Sequence, residues 1–190
     1  MIQNTHSPQK YFPEAVLPLA VFVLWTSLNL VSAVPGHSGD TVQFQFLAET
    51  YGVAHAPGAP FYIPLLWAWR HMLPLATPAL AANLFSVVAA LFAVLFGARL
   101  LRRWGVSSLG IFTAFLPLIT SPLWLRLSAV AEFYVPSLAV GLAALECAQA
   151  WVDLGRRRDL ILVGLLLGLG QGARYPRPVS TTLLGTFVRE

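Results

Sequence analysis

The chain has 190 residues, 57% of them hydrophobic and only 11% charged, with a net charge of +4 at pH 7. A soluble domain carries about 25% charged residues to cover its surface, so a chain with a mean hydropathy of +0.69 takes lipid as part of its solvent. The positive charge sits in short clusters at the ends of apolar runs, where topology signals belong. That argues against a nucleic-acid partner, and a single cysteine, Cys147, excludes a disulfide framework or a cysteine metal site.

The first apolar run covers 15–34, long enough to span a bilayer. Val31-Ser32-Ala33 resembles a small-residue cleavage site, so a signal peptide competes with an uncleaved anchor. The run exceeds the usual apolar core of about 7–15 residues, which favours the anchor. On either reading the following segment lies outside the cytoplasm. Residues 35–78 are the least lipid-like stretch and hold His37, Asp40, Glu49, His55 and His71. Ser38 or Asp40 is placed to cap a short helix running to Tyr51, with Gly52 ending it. The run from His55 to Pro60 is a turn by its proline and glycine density. Phe61 to Leu73 then sets aromatics beside Arg70 and His71, as in a helix lying at the membrane interface.

A second span covers 79–101 and ends at Arg99, Arg102 and Arg103. A third covers 106–125, bent or ended by Pro117 and Pro122. A short turn holds Arg126 and Glu132 before a fourth span at 133–152, which ends at Arg156, Arg157 and Arg158. A fifth run, 160–172, is of marginal length. The fold class is therefore all-α, a polytopic transmembrane bundle of four or five spans with short interfacial helices in the first external loop. It forms a single transmembrane domain over 1–190. The two basic clusters lie two spans apart, hence on one side, and the positive-inside rule makes that side cytoplasmic. The N-terminus is then cytoplasmic, the loop 35–78 and the 126–132 turn are external, and the expected location is the plasma (inner) membrane.

Asp40 is the main candidate for chemistry, as a general base on a hydroxyl at the mouth of the bundle. The competing role is a helix cap paired with Gln43 in a capping-box-like arrangement. His55 either serves the turn or contacts a phosphate or sugar hydroxyl. Glu132 is inexpensive if it faces water and functional if buried, with Arg126 as its structural partner. Arg126 and Arg174 are the external bases best placed to hold an anionic phosphate, and Arg70 suits an interfacial anchor. Glu146 lies inside the fourth run without an assigned role, and Asp153 and Asp159 balance the arginine cluster. No phosphate-binding glycine loop occurs, and the loop histidines are too dispersed to argue for a metal site.

The stretch His37-Ser38-Gly39-Asp40, a short helix, and then Tyr51-Gly52-Val53-Ala54-His55-Ala56-Pro57-Gly58-Ala59-Pro60 resembles the DUF2723 family. Its members are similar to protein O-mannosyltransferases and other GT-C-fold membrane glycosyltransferases. Ala131-Glu132-Phe133-Tyr134 looks like that family's later Ala-Glu-Val-Tyr. The resemblance covers about Val21 to Arg177. It implies a polyprenyl-phosphate-linked sugar as donor substrate, a protein or glycan acceptor, and an acidic residue of the first external loop that activates the acceptor hydroxyl. By that resemblance Asp40 is the catalytic base, His37, His55 and Glu132 shape the substrate site, and Arg126 or Arg174 steadies the phosphate. The family's leading aspartate is His37 here and its glutamate is Asp40. No cofactor is called for, and the use of a divalent metal is left open. The chain supplies fewer spans than the GT-C core, so it reads as an N-terminal fragment, a truncated gene product, or a half whose bundle a partner chain completes. The alternative is a non-catalytic multi-pass component, a transporter subunit or envelope scaffold. Apart from Glu146, the ionisable groups gather at the outer face rather than at the bilayer midplane, where a transporter places them.

Overall fold

The structure is a computed structural model, and it describes residues 16–31, 39–54, 59–73 and 77–172. Over these residues the chain is all-helical, with eight helices: α1 (Val16–Leu30), α2 (Asp40–Thr50), α3 (Tyr62–Met72), α4 (Pro78–Arg103), α5 (Ser108–Thr120), α6 (Pro122–Leu127), α7 (Tyr134–Leu154) and α8 (Arg157–Gly172). Two of them, α4 and α7, are long and apolar enough to cross a membrane. At 1.5 Å per residue they reach roughly 39 and 32 Å, against a hydrocarbon core of about 30 Å.

The helix starts follow capping chemistry. Thr77 caps α4 by accepting from the Leu80 N–H at 3.2 Å, with Pro78 at the first helical position. Ser107 caps α5, accepting from Gly110, and Ser121 caps α6, accepting from Trp124. Pro122 ends the run predicted over 106–125, splitting it into α5 and α6, whereas Pro117 stays inside α5. Gly155, in the left-handed region at φ 64°, ends α7. Arg157 and Arg158 belong to the start of α8 rather than the end of α7, because α8 begins at Arg157, before its apolar run.

Side-chain contacts fix the helix directions. Asn83 on the first turns of α4 meets Ala131 just before α7, and Arg103 at the end of α4 meets Glu146 and Asp153 late in α7. The two long helices therefore run parallel, with their arginine-bearing turns at one end. The Ser27 hydroxyl donates to Ser128 at 2.9 Å, which puts the end of α1 beside the start of α7, antiparallel to α4. Helices α2 and α3 pack on each other and on α4 at that same end, around Phe44, Tyr62, Ile63 and Leu66.

Buried polar side chains accompany an apolar core, and large apolar side chains face outward. Ser27, Thr41, Gln45, Asn83, Ser86 and Ser128 are buried, while Leu17, Trp25, Leu109 and Leu123 lie more than half exposed. Small residues are frequent among the buried positions of α4 and α7, among them Ala89, Ala90, Ala93, Ala139 and Ala143. Small residues let helix backbones approach closely where lipid supplies no hydrophobic drive between them.

Candidate functional site

The end of the bundle holding α2, the start of α4 and the α6–α7 connection gathers the polar groups. Asp40 opens α2 as its first helical residue, and the cap position is Gly39, so the Asp40 cap is not formed. Ser38 lies outside the described residues. A carboxylate in the first turn still faces the positive end of the helix dipole. At the other end of α2 the left-handed residue is Tyr51, at φ 55°, rather than Gly52. The Tyr51 ring stands edge-on to Trp67 at 5.7 Å, a contact that holds this turn against α3.

Glu132 sits half-buried just before α7, and the Thr41 hydroxyl donates to its Oε1 at 2.7 Å. Burial raises its carboxyl above the ordinary range, opposed by the Thr41 hydrogen bond. The negative charge of Asp40 raises it further, and the positive charge of Arg126 acts the other way. Asp40, Thr41, Glu132 and Arg126 thus form one electrostatic neighbourhood. Arg126, on α6, is exposed and acts on Glu132 as a nearby charge, without an ion pair to it among the described residues.

Beneath these groups lies a buried amide bridge. Asn83 Oδ1 accepts from Gln45 Nε2 at 3.0 Å and from the Ala131 N–H at 2.9 Å. One side chain on α4 therefore fixes both α2, which carries Asp40, and the backbone next to Glu132. Sequence reasoning missed Asn83, Gln45 and Thr41. The available signal was an amide inside an otherwise apolar run, since such a group needs a partner.

Of the other residues read as site members, His37, His55 and Arg174 lie outside the described residues. Arg70 pairs with Glu49 at 2.9 Å, joining α3 to α2. Glu146 is buried at the opposite end, where Arg99 and Arg103 hold it at 3.1 and 3.0 Å. No group of three metal-ligating side chains occurs among the described residues.

A cleft of about 480 Å³ adjoins the site between α3, α4, α7 and α8. Its walls are apolar, including Phe85, Phe92 and Phe96 on α4 and Leu166 and Leu169 on α8. Tyr62 and Ser137 also line it. Burial pushes the Tyr62 phenol up, with the Glu132 charge adding to the effect, so the hydroxyl stays protonated. Comparison with protein families, with characterised proteins and with solved structures returns no match to this chain.

Proposed function

We propose that the protein is a GT-C-like membrane glycosyltransferase, or the N-terminal part of one. It transfers a sugar from a polyprenyl-phosphate donor to an acceptor hydroxyl on the extracytoplasmic face. The observation that carries this reading is the convergence of Asp40 and Glu132 at one end of α4 and α7, with Arg126 nearby. Asp40 and Glu132, one from each of two stretches that resemble the family and far apart in sequence, come together there. The two long apolar helices and the apolar side chains that face outward support a membrane protein, and the arginine-rich turns at the opposite end support a cytoplasmic location for that end. Helices α1, α5 and α8 add further crossings to those of α4 and α7 in this topology.

In the proposed reaction Asp40 takes the proton of the acceptor hydroxyl. The hydroxyl oxygen bonds to the anomeric carbon of the donor sugar. The bond from that carbon to the phosphate oxygen breaks, and the lipid phosphate leaves with the electron pair. Arg126, exposed beside the two carboxylates, offers a fixed positive charge to the leaving phosphate. Glu132 positions α2 through Thr41.

Transfer of labelled sugar from a polyprenyl-phosphate donor in membranes tests the reading, with wild type and Asp40→Asn at matched expression. Loss of a general base predicts a fall of roughly 10²–10⁴-fold in the variant. Equal transfer by both proteins removes Asp40 from the mechanism. No transfer by either favours a non-catalytic component or one that depends on a partner chain.

A further inference from the structure

The arginine-bearing end of the bundle carries more base than its own carboxylates use. Arg103 reaches Asp153 at 3.1 Å and the Trp104 indole donates to Gln149 at 3.1 Å, so the end of α4 lies beside the last turns of α7. Glu146 is held by Arg99 and Arg103, Asp153 by Arg103, and Asp159 by Arg158 at 3.7 Å. Arg156 and Arg157, in the turn into α8, are exposed, and their side chains make no ion pair or hydrogen bond among the described residues. Every base at this end is arginine. The positive-inside rule is met equally well by lysine, whereas the guanidinium fork matches a phosphate with two parallel hydrogen bonds. Trp104 and Trp151 are exposed at the same end, as aromatics are at headgroup level.

Below Arg157 one face of α8 is bare. Ile161, Gly164 and Gly168 follow Arg157 at helical spacing along that face. Ile161 is 63% exposed, and a Cβ built at Gly164 or Gly168 would meet nothing within 4 Å. The opposite face carries the buried Asp159 and the cleft residues Leu166 and Leu169, and it turns toward the bundle. From Arg157 to Gly168 the bare strip is roughly 16 Å long at the helical rise, about half the thickness of a hydrocarbon core. It therefore joins free positive charge at one end to an open apolar strip one leaflet deep. A second copy of the chain packed on this strip about a two-fold axis would bring Arg157 toward its own counterpart, whereas an anionic headgroup neutralises it.

We infer that this face binds an anionic phospholipid of the leaflet at the arginine end, which is the cytoplasmic leaflet in the proposed topology. Its phosphate diester lies on Arg156 and Arg157, and one acyl chain lies along Ile161, Gly164 and Gly168. The inference rests on the membrane reading of the bundle and not on the transferase chemistry.

The test is photolabelling of the full chain in phosphatidylcholine nanodiscs. Two probes share one diazirine-bearing acyl chain, and their headgroups are phosphatidylglycerol and phosphatidylcholine. In the wild type the phosphatidylglycerol probe labels the α8 peptide in preference to the phosphatidylcholine probe by roughly 20–30-fold, the contribution of two arginines near the surface. Unlabelled phosphatidylglycerol competes it away, and soluble glycerol phosphate does not. Arg156→Gln with Arg157→Gln, at exposed positions, abolishes the preference. Arg156→Lys with Arg157→Lys keeps the charge, loses the forks and lowers it. Gly164→Leu retains every charge but fills the strip, so phosphatidylglycerol labelling of α8 falls several-fold. Equal labelling by the two probes in inserted wild type overturns the lipid site alone. A preference undiminished by the lysine pair or the glutamine pair overturns it too, as does competition by glycerol phosphate or crosslinking of α8 to α8 of a second copy that excludes both probes. A chain that does not insert removes the membrane reading together with the site. Selective labelling without sugar transfer leaves the site standing.

Discussion

Asn83 is the residue on which the site's geometry rests. Its Oδ1 satisfies Gln45 of α2 and the Ala131 backbone together, from a position 1% exposed. Asn83→Leu keeps the size and leaves two buried donors unpaired, at a cost of about 1–3 kcal/mol for each group. The expected result is a clear drop in Tm in detergent and reduced sugar transfer, while Asn83→Asp, which retains the acceptor, loses less. Equal losses from the two substitutions would show that the acceptor is not what matters. Glu132 makes a prediction of opposite sign. Its folded-state pKa is raised, chiefly by burial. Stability from the protonated form is therefore complete below the ordinary value of about 4.3 and is lost as pH rises through the folded value. Glu132→Gln avoids that loss and keeps an oxygen to accept from Thr41. Its Tm relative to wild type should be higher at about pH 8 than at about pH 4. A pH-independent difference contradicts the assignment.

Among the elements, the approach of α4 to α5 is limited by Gly97. A Cβ built there would stand 2.7 Å from Phe115 Cζ and 3.6 Å from Leu142 Cδ1. Phe115 is itself buried in the main core, so its ring has little room to give way. Gly97→Leu is expected to destabilise by about 1–3 kcal/mol, read as a lower denaturation midpoint. Adding Phe115→Ala should recover part of that loss, because the two residues compete for one space. If the two losses simply add, Gly97 is not held against Phe115. Charge behaves differently at this scale. Arg103 joins α4 to both Glu146 and Asp153 on α7, so Glu146, a carboxylate within the fourth apolar run, ties the two helices together.

At the scale of the whole molecule, the parallel course of α4 and α7 places the Gly105 and Gly155 turns at one end and α2 at the other. With Cys147 replaced by alanine, single cysteines report the sides directly. Val53→Cys, at an exposed position, should react with a membrane-impermeant maleimide in intact cells. Gly105→Cys and Arg156→Cys should react only after permeabilisation. Labelling of Gly105→Cys and Arg156→Cys on opposite sides of the membrane would be incompatible with this topology. The same experiment separates the membrane bundle from a soluble helical domain, in which no position is protected.

The sequence by itself determined the helical class and some of the places where helices stop. Apolar run length, proline and glycine suffice for these, since they act locally: Pro122 breaks the third run, and both Arg102-Arg103 and Arg157-Arg158 border apolar helices. It also singled out Asp40, Glu132 and Arg126 as residue types suited to one site. The exact start of α8 escaped it, because hydropathy registers the apolar run and not the charged first turn. Only the tertiary structure decided that Asp40 is a first-turn residue rather than a cap and that Glu132 bonds to Thr41, 91 positions away. It likewise disclosed the Asn83 bridge and the apolar cleft along α4. Those features depend on which helix faces meet, and a buried polar group finds its partner through packing rather than through spacing along the chain.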